Sequence, residues 1–171
     1  MEQLNCRLQV KSLDEQGRFS GLASTYGNID LGMDIVMPGA FQKTLQDRGG
    51  EVPVLWSHNL STPIGLGKLK DTAQGLMIEG QLVLSVSKAR EAYDLMRAKV
   101  IRGLSIGYDA VKSQVVDGAR RLLELKLYEV SLVTFPMNPM ATVTSVKTDN
   151  NFNAEIFRLR EMIRQCREGW R

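Results

Sequence analysis

The sequence predicts a mainly β fold with helices (α+β), an antiparallel barrel or sandwich into which helical segments are inserted. Three observations carry that expectation. Several stretches alternate apolar and polar residues between turns rich in Gly, Asp and Pro, the period-two pattern of half-buried strands. Other stretches place apolar residues three or four apart, as amphipathic helices do. The strand-like stretches cluster at both ends of the core instead of alternating singly with helices, which argues against a doubly wound parallel sheet.

The elements follow in chain order. "CRLQVKSLDEQGRFSGLASTYG" alternates around Asp14–Gly17 and reads as a strand pair. "NIDLGMDIVMPG" reads as a loop holding one short strand, Ile35 to Met37. "PGAFQKTLQD" opens with Pro38 and Gly39 and spaces Phe41 and Leu45 four apart, as a short helix with proline near its first turn would. "EVPVLWSH" is a strand, followed by a polar turn with Pro63 and Gly65. "GLGKLKDTAQGLMIEGQLVLS" is a hairpin turning at Asp71–Gly75. "SVSKAREAYDLMRAKV" is the clearest helix, with Ser85 or Ser87 as its cap and Ala89, Ala92, Tyr93, Met96 and Val100 as one apolar stripe. Three alternating strands are expected over residues 101–136, broken at Asp117–Gly118 and closed by Pro136. Residues 1–147 then form the barrel domain, and residues 148–171 a polar linker with a basic C-terminal helix. The linker composition itself starts near Asn138.

Bulk properties exclude several classes. A chain of 171 residues suits one domain with a real core. A net charge of +3 gives no case for specific nucleic-acid binding. The single His and two Cys, Cys6 and Cys166 at opposite ends, do not compose a zinc site, which needs about four close ligands. Both cysteines are read as free thiols of a reducing compartment. Neither a Walker loop nor a GxGxxG fingerprint is present, so no cofactor is expected. No apolar run is long enough to span a membrane, "MEQLNCRLQV" has no signal-peptide pattern, and a cytosolic protein is expected.

One stretch points to chemistry. In "VPVLWSHNLSTPIG" the only histidine, His58, ends an apolar strand. An imidazole titrates near neutrality and serves as a general base, although a lone His is often structural. In "VIRGLSIGYDA" alternation sets Ser105 on one face between Gly103 and Gly107, an accessible setting for a hydroxyl or simply a bend in a barrel. In "LLELKLYEVSLVTFP" Glu129 shares a largely apolar face with Leu123, Leu125, Leu127, Ser131, Val133 and Phe135. A buried carboxylate needs a partner, and an imidazole N–H or an arginine would serve. A serine nucleophile needs a base, and the base an orienting group, so Ser105, His58 and Glu129 permit a triad.

Four motifs in order, "MDIVMPGAF", "LWSHNLSTPIG", "IRGLSIGY" and "LYEVSLVTFPMNP", resemble those of the tailed-phage prohead maturation proteases, a family regarded as related to the herpesvirus assemblin-type proteases. The resemblance covers roughly residues 5–146. It implies a serine endopeptidase on a herpesvirus-protease-like antiparallel β-barrel surrounded by helices, with Ser105 as nucleophile and His58 as base. The herpesvirus enzymes use a second histidine as third member; this chain has a single histidine, and Glu129 stands at about the matching interval. No arginine in "PMNPMATV" matches the herpesvirus oxyanion loop. The resemblance further implies packaging inside the immature capsid in the host cytoplasm and cleavage of the major capsid protein's scaffolding segment or of a scaffold protein. It also implies self-cleavage, for which the linker around Lys147 is exposed in this reading, and self-association as a homodimer or a higher assembly. The basic C-terminal helix fits a capsid-docking segment, a removable segment or a solvated amphipathic helix.

Two other readings stay open on the residues alone. One is a non-enzymatic capsid- or scaffold-binding module on the same fold. The other is an esterase, because Gly103-x-Ser105-x-Gly107 matches the nucleophile-elbow spacing. A helix before the serine, strand after it and no later histidine disfavour the elbow.

Overall fold

A computed structural model describes residues 16–135 and, for its backbone only, the strand of residues 2–7. The described residues form one sheet of eight strands and two helices, a mainly β fold whose sheet curls into a half-barrel. The strands are β1 (Glu2–Arg7), β2 (Arg18–Thr25), β3 (Asp34–Val36), β4 (Glu51–Trp56), β5 (Asn59–Thr72), β6 (Gly75–Leu82), β7 (Gly103–Val116) and β8 (Ala119–Val133). The helices are α1 (Gln42–Arg48) and α2 (Ser87–Arg97). Strand order is β1-β7-β8-β4-β5-β6-β2, with β3 also on β8. Most pairs are antiparallel, but β3 and β4 both run parallel to β8.

Several expectations hold. The hairpins turn after Thr72 and at Asp117–Gly118, where both turn residues have positive φ. The short helix and the long helix lie where the apolar spacing puts them, and Ala89, Ala92, Tyr93 and Met96 are buried. Others are corrected. β1 pairs with β7, and β2 with β6, so the first two strands are not a hairpin with each other. Alternation identifies a strand but carries no address for its partner. Residues 103–133 make two long strands, not three, because register shifts at Gly107/Tyr108 and around Lys112 absorb the breaks in alternation. The stretch with Pro63 and Gly65 is strand, not turn: β5 starts at Asn59, and irregular register at Val54–Trp56 accommodates the proline. Gly65 is needed there, since a side chain would strike the Gln81 carbonyl of β6. The α2 boundary residue is Val86, with no side-chain cap from Ser85 or Ser87, and Val100 is exposed beyond the helix. Asp14, Pro136, the side chains of Cys6 and Cys166, the 138–151 linker, Lys147 and the C-terminal helix lie outside the described residues, as does the boundary at 147/148.

The core lies inside the curl and is built from Phe19, Val54, Ile64, Ile78, Leu104, Ile106, Leu125, Leu127 and Val130 among others. β8 is its organising strand. On one edge it pairs with β7 along nearly its whole length. Its other edge is shared. β3 takes residues 120–122 and β4 takes residues 130–132. Between them, the α1 segment substitutes for a strand. The Leu125 N–H donates to the Ala40 carbonyl (2.9 Å), the Leu127 N–H donates to Thr44 Oγ1 (3.0 Å), and Arg48 donates to the Tyr128 carbonyl (3.1 Å). Buried backbone groups are thus satisfied although the ladder is interrupted.

The loop before β3 is tied down by charge. Arg120 grips Asp34 through two bonds of 2.7 Å, and the Tyr108 hydroxyl donates to the same carboxylate (3.2 Å). Asp30 accepts N–H bonds from Gly32 and Asp34, both 2.8 Å. Burial, reinforced by the nearby Asp34 charge, pushes the Asp30 carboxyl above its usual range despite those bonds. The folded chain therefore holds this proton more tightly than the unfolded chain. Its stabilising effect is complete in acid and is lost as pH rises from the unfolded value of about 3.9 through the folded one. Asp30→Asn keeps the acceptor oxygen and removes the charge. Thermal melts should show the variant more stable than wild type at about pH 7, with the gap closing toward about pH 3. Equal destabilisation at both pH values would refute this account.

Candidate active site

The β4–β5 connection is a two-residue turn, Ser57–His58, closed by the Trp56–Asn59 pair. Both residues are left-handed, with φ of 48° and 59°. Such mirror-image turns suit hairpin twist but prefer Asn-Gly, and non-glycine residues there cost about 1–2 kcal/mol each. The turn is held by β8. Ser57 N–H donates to the Leu132 carbonyl (3.0 Å) and His58 N–H donates to Ser131 Oγ (2.9 Å). Lys88 of α2 lies over the ring of Trp56, 5.6 Å from its centroid.

The turn aims the imidazole at β8. His58 Nδ1 is 2.6 Å from Glu129 Oε1, so Nδ1–H donates to the carboxylate and Nε2 is left as the acceptor nitrogen. The second carboxylate oxygen, Oε2, accepts the Ser131 hydroxyl proton at 2.7 Å. The Glu129 side chain is 1% exposed and that of His58 10%. A carboxylate this deep is tolerable because both oxygens are bonded.

Ser105 belongs to the same patch. It is the direct cross-strand partner of Ser131, while Gly107 is that of Glu129. Opposed residues share a sheet face with Cα atoms about 4.5–5.5 Å apart. Ser105, Gly107, Glu129 and Ser131 therefore line one face, against which the His58 turn is bonded. All three residues singled out in the sequence come together here. Ser105 is fully buried, however, which corrects the expectation of an accessible hydroxyl between two glycines. Neighbouring strands β1 and β8 flank it, and the space beside Gly107 is taken by Glu129. The shared face with Leu127 is also corrected. The register shift leaves Tyr128 without a counterpart in the ladder, so Leu127 lies opposite Tyr108 and Glu129 opposite Gly107. Sequence reasoning gave Ser131 no role. Its signal was its position two residues after Glu129, on the same strand face.

The comparisons with known proteins bear on this geometry. The sequence profile of the caudovirus prohead serine proteases matches residues 6–155. The chain belongs to that family. A capsid polyprotein of Pseudomonas phage PAJU2 is 35% identical to this chain over 151 residues, 82% of the chain and 22% of the polyprotein. A prohead protease of Enterobacteria phage HK97 is 30% identical over 139 residues, 78% of this chain and 62% of that one. The chain thus spans less than two thirds of the length of either relative. Among solved structures, the bacteriophage T4 capsid assembly protease superposes with a TM-score of 0.61 over 77% of this chain and 96% of its own, at 11% identity. That likeness extends to the fold.

Gly107 offers a direct test of the site's construction. A methyl group there would collide with the Glu129 carboxylate and lie 3.0 Å from its Cγ and Cδ. Those atoms are fully buried and bonded, so they cannot simply swing aside. Gly107→Ala should lower stability by about 1–3 kcal/mol, read from the urea midpoint. An unchanged midpoint would mean that Glu129 does not occupy this seat.

Proposed function

We propose that this chain is a serine endopeptidase of phage capsid maturation, with Ser105 as nucleophile, His58 as general base and Glu129 as the group that orients it. The observation that carries the reading is the buried His58–Glu129 contact of 2.6 Å, on the sheet face that bears Ser105. Membership of the prohead serine protease family supports it independently.

The chemistry is acyl transfer. Ser105 Oγ attacks the scissile carbonyl while His58 Nε2 takes its proton. Glu129 accepts the Nδ1–H bond throughout, fixing the tautomer and stabilising the imidazolium that forms. Collapse of the tetrahedral intermediate breaks the C–N bond, and the leaving amine takes the proton from Nε2. Water then repeats the sequence on the acyl-enzyme.

The substrate in this reading is the scaffolding segment of the capsid protein or a separate scaffold, met inside the immature capsid. The polyprotein relationship supports the first of these, since that relative is a capsid polyprotein. Self-cleavage and self-association complete the proposal.

Co-expression with the neighbouring capsid protein, followed by intact mass of every product, tests it. Wild type should cleave the capsid protein, and Ser105→Ala should leave it whole. Glu129→Gln should slow cleavage by about 100-fold or more but leave it measurable. Cleavage by Ser105→Ala protein would sink the assignment. Identical masses with assembled shells present would favour a non-enzymatic capsid-binding module.

A further inference from the structure

We infer that Ser131 is the positioning residue of this site, its one hydroxyl locking the His58 turn and the Glu129 carboxylate into a single relative orientation. The inference rests on the triad reading for its catalytic consequence, but its geometry stands apart from it.

Three features lead there. First, Ser131 Oγ bonds on both sides: it accepts the His58 backbone N–H (2.9 Å) and donates to Glu129 Oε2 (2.7 Å). These two bonds and the His58 Nδ1–Glu129 Oε1 bond close a ring that joins backbone, imidazole, carboxylate and hydroxyl. Second, Ser131 is fully buried, and its bond to Glu129 lies in the interior, where water does not compete for it. Third, the backbone it holds is under strain. His58 at φ 59° is an unfavourable left-handed residue, and it persists only if its surroundings over-determine it.

The side-chain chemistry is specific. The site needs one atom that accepts from an N–H and donates to a carboxylate, close to a strand backbone. A hydroxyl does both with a single oxygen. Alanine does neither, and a thiol does both weakly. Without the hydroxyl, Oε2 loses a partner in the interior and the His58 N–H loses its partner at the turn. The carboxylate then keeps only its bond to His58 Nδ1, and the turn that sets the direction of the imidazole loses one of its two ties to β8. Ser131 itself touches no reacting atom in the mechanism, and its effect passes entirely through His58 and Glu129.

The single histidine makes the test unusually direct, because every imidazole signal in a nitrogen-15 NMR spectrum belongs to His58. Wild type, Ser131→Ala and Ser131→Thr would be compared by that spectrum, by melting temperature and by cleavage rate of co-expressed capsid protein. Ser131→Ala should shift or broaden the Nδ1–H signal and slow cleavage by about 10- to 100-fold, the cost of a lost bond to a charged group. Ser131→Thr keeps the hydroxyl and should recover the wild-type signal and most of the rate, even if its extra methyl lowers the melting temperature. An unchanged imidazole signal in Ser131→Ala would overturn the inference. So would a Thr variant that stays folded yet behaves like Ala. A shifted signal in a chain whose wild type cleaves nothing would overturn the protease reading alone and leave the hold of Ser131 on His58 standing.

Discussion

A carboxylate buried to 1% exposure is the constraint around which this molecule is organised. Glu129 is tolerable in the interior only because each of its oxygens has a hydrogen-bond donor. One donor comes from a turn 71 residues earlier in the chain, the other from the same strand. The clearance comes from a glycine on the adjacent strand. Removing any of these would leave charge or volume unaccommodated. The polar patch is therefore as much a condition of folding as a site of chemistry.

The strand that carries Glu129 is correspondingly well braced. Its outer edge is held first by β3, next by the α1 segment and last by β4. The α1 bonds fall at Leu125, Leu127 and Tyr128, immediately before the carboxylate. There the ladder with β7 slips by one residue. A bulge increases local twist and re-aims side chains, and this one separates Leu127 in the core from Glu129 at the site. The short helix does for the backbone at this point what a ninth strand would otherwise do.

Much of this was legible in the sequence. The two hairpin turns, both helices and the three candidate residues follow from spacing, turn chemistry and the oddity of a carboxylate among leucines. Glu129 drew attention because burial without a partner is costly, and a histidine partner is what the structure supplies. What could not be read was long-range. Nothing in "EQLNCR" says that its partner is β7 rather than β2. Pro63 and Gly65 look like a turn until the irregular β4 register is known. Two glycines beside Ser105 suggest open space, but one of those spaces holds the side chain of Glu129, which lies directly opposite Gly107 on the partner strand. Ser131 is an unremarked serine in sequence, and only the folded turn shows why a hydroxyl stands there.

The parallel pairing of β4 with β8 has a consequence in time. The ribosome makes the Ser57–His58 turn long before it makes the Ser131 that holds it, 73 residues later than His58. Contacts of such separation form late, after the cost of closing a long loop has been met. Until β8 is synthesised and docked, the imidazole has no carboxylate to point at and its strained turn has no support. Until then the nascent chain carries the imidazole without an organised site around it. The final described strand supplies both the keystone of the sheet and the moment at which the chemistry becomes available.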